Sequence, residues 1–307
     1  MRVRIVGDGA WGTALHKLIK ENSHEVSFIT RKDFTKVKRV SDRINTDAEV
    51  LILALPTQAI RSVLDKIDCL NSKIIVNCTK GIERRTHQLP FQIVSEKNVR
   101  REQYFTLIGP SFAEEVKAKM PTIVNLGHNS EDKYIDLVKS LFERDYFEVK
   151  VVHGIAALEL AGAFKNLYAI ACGITAGLGF GMNTRVKVIL AGLEEMHDLM
   201  MKLKFRVEDE TIPGILGDLI LTCNSTESRN FTFGKLIVNL SVEEALAKIN
   251  ATVEGFYAAD SVNYFEEKGN IRLLLAGMVA RCIKIENKHI LKQLVTDTIA
   301  KIPDSKI

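Results

Sequence analysis

The first half of the chain alternates short runs of apolar, often β-branched residues with stretches of helical periodicity. The apolar runs predict five strands, at residues 2–6, 25–30, 50–55, 73–77 and 104–108. Strands that alternate with helices in this way predict a parallel sheet joined by crossover helices. After Gly154 the strand pattern disappears, and helical patterns continue toward the C-terminus.

The second half has the periodicity of helices, with no strand between them. We expect helices at residues 155–176, 183–204, 214–223, from 233 onward, 242–249 and 257–268, with Ser241 capping the helix at 242–249. The expected fold class is α/β, an N-terminal Rossmann-type doubly wound sheet followed by an all-helical C-terminal domain. The boundary near His153 predicts a dinucleotide-binding domain at 1–153 and a helical substrate domain at 154–307.

The most specific motif directly follows the first predicted strand. Gly7-Asp8-Gly9-Ala10-Trp11-Gly12 separates that strand from the helical pattern of residues 13–20. Between a strand and a helix, the first glycine permits a tight turn and the second lets the backbone approach a pyrophosphate. The third lets helix and strand pack closely, and the phosphates lie at the helix N-terminus. The motif therefore predicts a bound dinucleotide.

The end of the second predicted strand bears on which dinucleotide binds. A carboxylate usually stands there to bind the ribose hydroxyls of NAD, whereas this chain has Thr30, Arg31 and Lys32. A guanidinium matches the 2′-phosphate of NADP, which favours NADP without excluding NAD. Two alternatives stay open, because basic residues continue to Arg43 as in a solvated loop, and because Asp33 can still bind a ribose.

Loops at the carboxyl ends of further strands carry candidate ligand-binding residues, since a doubly wound sheet presents these ends to its ligand crevice. Lys80 follows the fourth predicted strand and can face an anion, or can be an ordinary exposed lysine. Ser111 comes two residues after Gly109 and three before Glu114, the spacing of a helix-capping box. Helix capping and ligand binding are compatible roles for such a serine.

Two charges lie inside apolar helical patterns. Lys165 stands in a run, 155–178, that is otherwise apolar or small apart from Glu159, and Asp218 stands in a second apolar segment. Burial lowers the pKa of a lysine, which suits a proton acceptor near neutral pH. A snorkelling lysine, or an ion pair between the two charges, is the simpler alternative. The run is long enough to span a bilayer, but its charges and glycines favour a buried helix.

Composition narrows the ligand further. Ser228-Arg229-Asn230 offers a hydroxyl, a guanidinium and an amide to one anion, and the net charge of +4 over 307 residues suits an anionic ligand without demanding nucleic acid. The five cysteines and seven histidines lack the spacing of metal ligands, so we expect no metal and interpret the cysteines as reduced packing residues. No secretory signal precedes the glycine-rich turn, which favours a cytoplasmic protein with no integral membrane segment.

Several segments, taken in order, resemble one family. In the N-terminal half they are residues 7–15, Thr79-Lys80-Gly81-Ile82-Glu83, residues 109–116 and Pro121-Thr122. In the helical half they are Gly162-Ala163-Phe164-Lys165-Asn166, residues 177–185, residues 217–223, Ser228-Arg229-Asn230 and Val253-Glu254-Gly255. Over nearly its whole length the chain resembles bacterial NAD(P)-dependent glycerol-3-phosphate dehydrogenase.

The resemblance implies reversible reduction of dihydroxyacetone phosphate to sn-glycerol 3-phosphate, a phospholipid precursor, with NAD(P)H and without a metal. It implies that Lys165 is the proton acceptor and that Lys80 and Asp218 line the substrate as its catalytic partners. The other implied substrate contacts are Gly109, Ser111, Ser228, Arg229 and Asn230. The implied cofactor-binding residues are Gly7, Gly9, Ala10, Trp11, Gly12, Arg31, Lys80, Ala113, Arg229 and Glu254. A homodimer is expected, since helical second domains of this kind often pair.

The chain departs from the family pattern at several places. The stretch from 31 to 47 is shorter than usual, and segment 189–192 lacks the usual Thr-Arg. Met120 replaces a glycine, Ala176 replaces an acid, and Phe231-Thr232 replaces a basic pair. None of these positions is the expected proton acceptor.

Two rival functions remain. A sister dehydrogenase of the 6-phosphogluconate or ketopantoate type is disfavoured by segments 109–115 and 228–230. A sensor that binds nucleotide without turnover is disfavoured by the joint presence of Lys80, Lys165 and Asp218, because a pure binder has no use for a second buried cluster.

Overall fold

The computed structural model describes residues 1–129 and 134–302, which form two compact units. The first unit comprises Met1–Lys80, Val207–Gly214 and the described part of Gln88–Glu159. The second comprises Gly81–His87, Leu160–Arg206 and the described part of Ile215–Ile307. The short segment Gly81–His87 thus belongs to the second unit although the sheet residues on either side of it belong to the first.

The first unit is built on a sheet that has seven strands within the described residues. They are β1 (Arg2–Val6), β2 (Glu25–Ile29), β3 (Val50–Leu53), β4 (Ile74–Asn77), β5 (Tyr104–Ile108), β6 (Thr122–His128) and β7 (Phe147–His153). Their spatial order is β2-β1-β3-β4-β5-β6-β7. Every neighbouring pair is parallel except β5 with β6. The five expected strands are confirmed, and β6 and β7 extend the sheet beyond them.

Burial of both faces explains why the central strands are so apolar. In β3, Val50 and Ile52 pack in one apolar cluster, whereas Leu51 and Leu53 pack in another. A parallel strand covered on both faces is apolar at consecutive positions, and the apolar run predicts it directly. The edge strand β7 instead alternates buried residues with exposed or half-buried ones. Because polar residues interrupt its apolar ones, the search for apolar runs does not predict β7.

Helices connect the strands of the first unit and are the main elements in the described part of the second unit. The helices that begin in the first unit are α1 (Ala10–Lys20), α2 (Arg31–Lys36), α3 (Ile60–Leu64), α4 (Pro90–Ser95), α5 (Ala113–Lys117), α6 (Ile135–Phe142) and α7 (Ile155–Gly177). The second unit contains most of α7 and then α8 (Met182–Lys202), α9 (Asp218–Asn224), α10 (Arg229–Leu236), α11 (Val242–Ile249), α12 (Glu254–Ala258), α13 (Val262–Gly269), α14 (Leu274–Cys282) and α15 (Lys288–Ala300). The expected class, a Rossmann-type sheet followed by a helical region, is confirmed.

Two expected helices are interrupted in the structure. The helix expected at 257–268 is divided into α12 and α13 by a 3₁₀ turn at Ala259–Ser261. The helix expected at 214–223 begins with a π-turn at Pro213–Gly217, and regular α-helix starts only at α9. Proline and glycine are the two poorest residues for a helix interior, which accounts for the irregular first turn.

The expected cap of α11 is confirmed. The hydroxyl of Ser241 accepts a hydrogen bond from the backbone N–H of Glu244 at 3.2 Å. The Glu244 carboxylate accepts one from the backbone N–H of Ser241 at 2.8 Å. This reciprocal pair satisfies two of the backbone donors that a helix N-terminus leaves unpaired.

Helix α7 is long and apolar enough, by length and composition, to cross a membrane. In the structure, 94% of its most apolar window is buried inside the protein. Tyr168, Phe164 and Leu167 on this helix have no exposed surface. This is the burial of a core helix, as the charges and glycines of the run predicted.

Candidate active site

The glycine-rich turn has the geometry that its spacing predicts. Gly7 has a φ of +111°, a conformation that glycine adopts readily. A Cβ on Gly12 would lie 2.1 Å from the carbonyl oxygen of Gly7, so the close contact of α1 with the turn excludes any side chain there. A Cβ on Gly9 would meet nothing within 4 Å. Open space therefore lies beside Gly9, at the N-terminus of α1, and a pyrophosphate fits there.

Four further cofactor candidates of the first unit lie at helix N-termini. Ala10 is exposed and Trp11 is half-buried in the first turn of α1, and Ala113 is the first residue of α5. Arg31 is exposed at the first position of α2, directly after β2. Ala10 and Trp11 follow β1, Arg31 follows β2 and Ala113 follows β5, each after a short connection.

Asp33, the alternative ribose ligand, is engaged in its own helix. Its carboxylate accepts hydrogen bonds from the backbone N–H of Thr30 at 2.8 Å and from the Thr30 hydroxyl at 2.9 Å. These bonds lower the pKa of Asp33. Asp33 thus caps α2, and Arg31, Lys32 and Lys36 on the same helix are exposed charged residues.

Three of the expected substrate contacts meet in the first unit. The Nζ of Lys80 donates to the carbonyl oxygen of Gly109 at 3.0 Å, and the hydroxyl of Ser111 donates to the same oxygen at 3.0 Å. Lys80 follows β4 and Gly109 follows β5, and these strands are neighbours in the sheet. The carboxyl ends of adjacent parallel strands bring the ammonium and the hydroxyl together.

The capping box expected from Ser111 to Glu114 is wrong. The helix α5 starts at Ala113 with Phe112 as its N-cap, and it has no side-chain cap hydrogen bond. The helix therefore begins one residue later than the box requires, and Glu114 pairs with Lys117 instead. Because the Ser111 hydroxyl is turned to the Gly109 carbonyl, its position is set by the loop and not by the helix.

Lys165 and Asp218 meet in the second unit. The Nζ of Lys165 lies 2.5 Å from Oδ1 of Asp218, and the two side chains are only 7% and 2% exposed. The Lys165 Nζ also donates to the hydroxyl of Thr222 at 2.8 Å, and that hydroxyl donates to the backbone carbonyl of Asp218 at 2.6 Å. Helix α7 supplies the lysine, and one turn of α9 supplies both of its partners. The expected ion pair is thus present, and it is buried.

The segment Ser228-Arg229-Asn230 forms the N-terminus of α10. Ser228 is the N-cap, and its hydroxyl accepts from the backbone N–H of Phe231 at 3.2 Å. Arg229 is exposed, whereas Asn230 is buried. The Asn230 amide donates to the side chain of Asn166 at 2.8 Å and accepts from the backbone N–H of Gly255 at 2.9 Å. Asn230 thereby ties α10 to α7 and to the start of α12, beside Glu254.

Sequence reasoning missed the buried polar residues that hold these groups. Glu159, noted only as a second charge in the apolar run, is 1% exposed and receives hydrogen bonds from Asn77, Tyr104 and Phe91. Burial raises the pKa of its carboxyl to about 7, and the donors act in the opposite direction. Thr222 was missed as well, although its spacing of four residues from Asp218 places both on one face of a helix.

The five cysteines are free thiols, and all but Cys69 are buried. Burial raises the pKa of the thiols of Cys78 and Cys282 to about 12. Neutral thiols of this kind act as packing residues. Among residues 1–129 and 134–302, no group of three or more histidine, cysteine, aspartate or glutamate side chains is placed to hold a metal ion.

Comparison with known proteins matches one family along most of the chain. A family model described as the N-terminus of NAD-dependent glycerol-3-phosphate dehydrogenase matches residues 37–134, and the model of the C-terminus matches residues 154–294. The chain is 34% identical to glycerol-3-phosphate dehydrogenase (NAD(P)+) of Staphylococcus aureus (strain USA300 / TCH1516), with 96% of this chain and 97% of that protein covered. It is 32% identical to the Staphylococcus haemolyticus protein of the same name, with 93% and 94% covered.

A solved structure is similar over the same length. The crystal structure of glycerol-3-phosphate dehydrogenase from Coxiella burnetii superposes with a TM-score of 0.84 at 26% sequence identity, covering 98% of this chain and 99% of that one. The glycine-rich turn and the buried lysine–aspartate pair thus occur in a chain that matches these proteins from end to end. The chain belongs to the family of NAD(P)-dependent glycerol-3-phosphate dehydrogenases.

Proposed function

We propose that this protein interconverts dihydroxyacetone phosphate and sn-glycerol 3-phosphate by hydride transfer with NAD(P)H, and that Lys165 is its proton donor and acceptor. Membership of the dehydrogenase family supports the reaction. The observation that carries the role of Lys165 is its buried ion pair with Asp218, next to the Thr222 hydroxyl. The product is the backbone precursor of phospholipids, so the enzyme supplies lipid synthesis.

The residues of the second unit perform the proton transfer. When bound, the nicotinamide supplies or accepts the hydride. Lys165 takes the proton of the substrate hydroxyl during oxidation and returns it to the carbonyl oxygen during reduction. Asp218 and Thr222 hold the Lys165 Nζ by hydrogen bonds of 2.5 Å and 2.8 Å. Both partners are on one turn of α9, so the amine is fixed in direction as well as in place.

The other substrate contacts divide between charge and orientation. In the first unit, the Lys80 ammonium and the Ser111 hydroxyl flank the Gly109 carbonyl and bind the polar end of the substrate. In the second unit, the exposed Arg229 guanidinium binds the phosphate, together with Ser228 and Asn230 at the N-terminus of α10. Asn230 contributes through its fixed amide, since Asn166 and Gly255 hold that amide in one orientation.

The cofactor is held at the glycine-rich turn. The pyrophosphate would be held beside Gly9, where open space lies at the N-terminus of α1. Ala10, Trp11, Ala113, Lys80, Arg229 and Glu254 complete the set of cofactor contacts that we propose. Arg31 favours NADP, because its exposed guanidinium stands at the end of β2 while Asp33 is engaged in capping α2.

The experiment that tests the reaction follows the absorbance of NADH and NADPH separately with dihydroxyacetone phosphate. Turnover with this substrate, and none with ketopantoate or 6-phosphogluconate in the same panel, supports the proposal against a sister dehydrogenase. Cofactor binding without turnover of any substrate in the panel would instead support a nucleotide sensor.

A variant tests the proton acceptor. We expect Lys165→Ala to abolish turnover while cofactor affinity is nearly unchanged. The matched control is Lys202→Ala, which removes an exposed lysine of the same unit at the end of α8. If Lys165→Ala loses turnover and cofactor binding to the same extent, the lysine is structural.

A second variant tests the coenzyme preference. Arg31→Ala is expected to lower kcat/KM for NADPH while kcat/KM for NADH stays the same, because only NADP carries the 2′-phosphate. Arg39→Ala removes an exposed guanidinium farther along the same basic stretch and serves as the control.

We further expect the protein to be a cytoplasmic homodimer. Sedimentation of the purified protein tests the oligomeric state.

A further inference from the structure

The catalytic lysine and the cofactor turn do not account for one buried charge. Glu159 is 1% exposed in the first turns of α7, and nothing in the proposed proton transfer uses it. Its Oε1 accepts hydrogen bonds from the Asn77 side-chain amide at 3.0 Å and from the Tyr104 hydroxyl. Its Oε2 accepts from the backbone N–H of Phe91 at 2.8 Å. Every one of these three partners is a donor, so the site requires an acceptor on both oxygens.

The Asn77 amide makes its shortest donated hydrogen bond, 3.0 Å, to this carboxylate, and it also donates to the Thr79 carbonyl at 3.3 Å and to the Thr106 hydroxyl at 3.4 Å. Asn77 ends β4, and its Nδ2 must face Glu159, because only the NH₂ group can donate to the carboxylate. Its Oδ1 therefore faces the opposite way, where it accepts from the backbone N–H of Thr79 at 3.0 Å and from the Thr79 hydroxyl at 2.6 Å. An amide turned by half a rotation would present a donor to both Thr79 donors and an acceptor to the carboxylate.

The hydrogen bonds from Glu159 through Asn77 to Thr79 lead to Lys80, a proposed substrate contact of the first unit. Thr79 is buried and directly precedes Lys80, whose Nζ reaches the Gly109 carbonyl at 3.0 Å. Because Asn77 holds both the backbone and the side chain of Thr79, it determines where the chain turns after β4. That turn sets the backbone position from which the Lys80 side chain extends to the Gly109 carbonyl.

We propose that Glu159 is a positioning residue for substrate binding, which holds Lys80 in place through the Asn77 amide and Thr79. The proposal rests on the proposed function, since it concerns the substrate contact made by Lys80. A purely structural carboxylate would stabilise α4, β4 and β5 through its three partners with no separate effect on the substrate. The two roles differ in what happens when single partners of Glu159 are removed.

The decisive comparison is between Glu159→Gln and Tyr104→Phe. In Glu159→Gln one acceptor becomes an NH₂ group that faces donors, so at least one of the bonds from Asn77, Tyr104 and Phe91 is lost. Tyr104→Phe removes one donor to the same carboxylate and leaves Asn77 untouched. We expect Glu159→Gln to raise KM for dihydroxyacetone phosphate about tenfold, since a small misplacement of a binding group costs up to about a hundredfold. We expect a smaller change in kcat, and Tyr104→Phe is expected to keep the KM of the wild type.

A second variant keeps the test independent of whether Glu159→Gln folds. Thr79→Val removes the hydroxyl that donates to Asn77 and leaves Glu159 with all its partners. It is expected to raise KM for the same substrate, and to add little to KM when combined with Glu159→Gln, because both changes act on one route. The Glu159→Asp variant keeps the charge on a shorter side chain and is expected to restore part of the substrate affinity.

The outcomes separate this proposal from the function on which it rests. A wild-type protein that does not turn over dihydroxyacetone phosphate overturns both. An active wild type with an unchanged KM in Glu159→Gln, or in Thr79→Val where Glu159→Gln does not fold, overturns the positioning role alone. An equal rise of KM in Tyr104→Phe and Glu159→Gln also overturns it, since the effect would then follow loss of packing and not the orientation of Asn77.

Discussion

Removing the Lys165 ammonium while keeping its volume separates its structural role from its chemical one. In Lys165→Met the Asp218 carboxylate, 2% exposed and paired at 2.5 Å in the wild type, loses its charged partner. Removing one partner of a buried ion pair costs about 3–5 kcal/mol, because the remaining charge is desolvated without compensation. We therefore expect Lys165→Met to lower the free energy of unfolding by about that amount. Methionine is flexible and fills the space of the lysine stem, so a cavity contributes little.

The second variant, Asp218→Asn, together with Lys165→Met and the double variant, forms a double-mutant cycle. The double variant Lys165→Met/Asp218→Asn has no buried charge at this site and is expected to recover most of the lost stability, which gives a large coupling energy. Urea unfolding followed by circular dichroism is the assay, because the single tryptophan, Trp11, lies in the first unit and does not report on the second. Turnover is measured on the same samples.

In the double variant, stability is expected to recover while turnover is not. It should unfold close to the wild type and still be inactive, because the proton acceptor is absent. Unchanged stability in Lys165→Met would refute the argument that the ammonium compensates the Asp218 carboxylate. Turnover in the double variant would refute the role of Lys165 in proton transfer.

Three other predictions follow from particular distances and pKa values. Burial raises the pKa of the Glu195 carboxyl from 4.5 to about 7. Its contribution to the free energy of unfolding is therefore present below pH 4.5 and is lost as the pH rises to 7. In unfolding titrations across this range, the wild type should lose on the order of 3 kcal/mol of stability relative to Glu195→Gln. Gly173→Ala should cost about 1–3 kcal/mol, since its Cβ would lie 2.0 Å from a backbone oxygen, whereas the control Gly181→Ala meets nothing within 4 Å and should unfold like the wild type. Gly9→Ala should fold normally, because the added Cβ meets nothing within 4 Å, but it should bind NADPH weakly in a fluorescence titration. Gly12→Ala should lose stability, because its Cβ would lie 2.1 Å from the Gly7 carbonyl oxygen.

Much of the site could be predicted because its parts are local in the chain. The expected roles of Gly7, Gly9 and Gly12 follow from a motif of six residues between a strand and a helix. In the structure Gly7 has a positive φ, Gly9 has open space beside it, and Gly12 is in close contact with the turn. Lys165 and Asp218 were noticeable because a charge within an apolar helix needs a partner. Their pairing was expected as an alternative, and the structure shows it.

Other features could not be predicted because they depend on side chains that are far apart in sequence. The Ser111 capping box had the correct spacing, but the start of α5 at Ala113 decided against it. Nothing local indicates that Asn77 and Glu159, 82 residues apart, share a hydrogen bond. Asn230 looked like a phosphate ligand by composition, yet its amide is also held by Asn166 and Gly255.

The sequence by itself determined the alternation of strands and helices, the dinucleotide turn and the identity of the charged residues, because periodicity and short motifs act over a few neighbouring positions. Only the tertiary structure decided which polar groups are paired. Hydrogen bonds and ion pairs depend on distances of about 3 Å, and these are set when helices and strands from distant parts of the chain pack together. The buried Lys165–Asp218 pair and the Glu159–Asn77–Thr79 route exist for that reason.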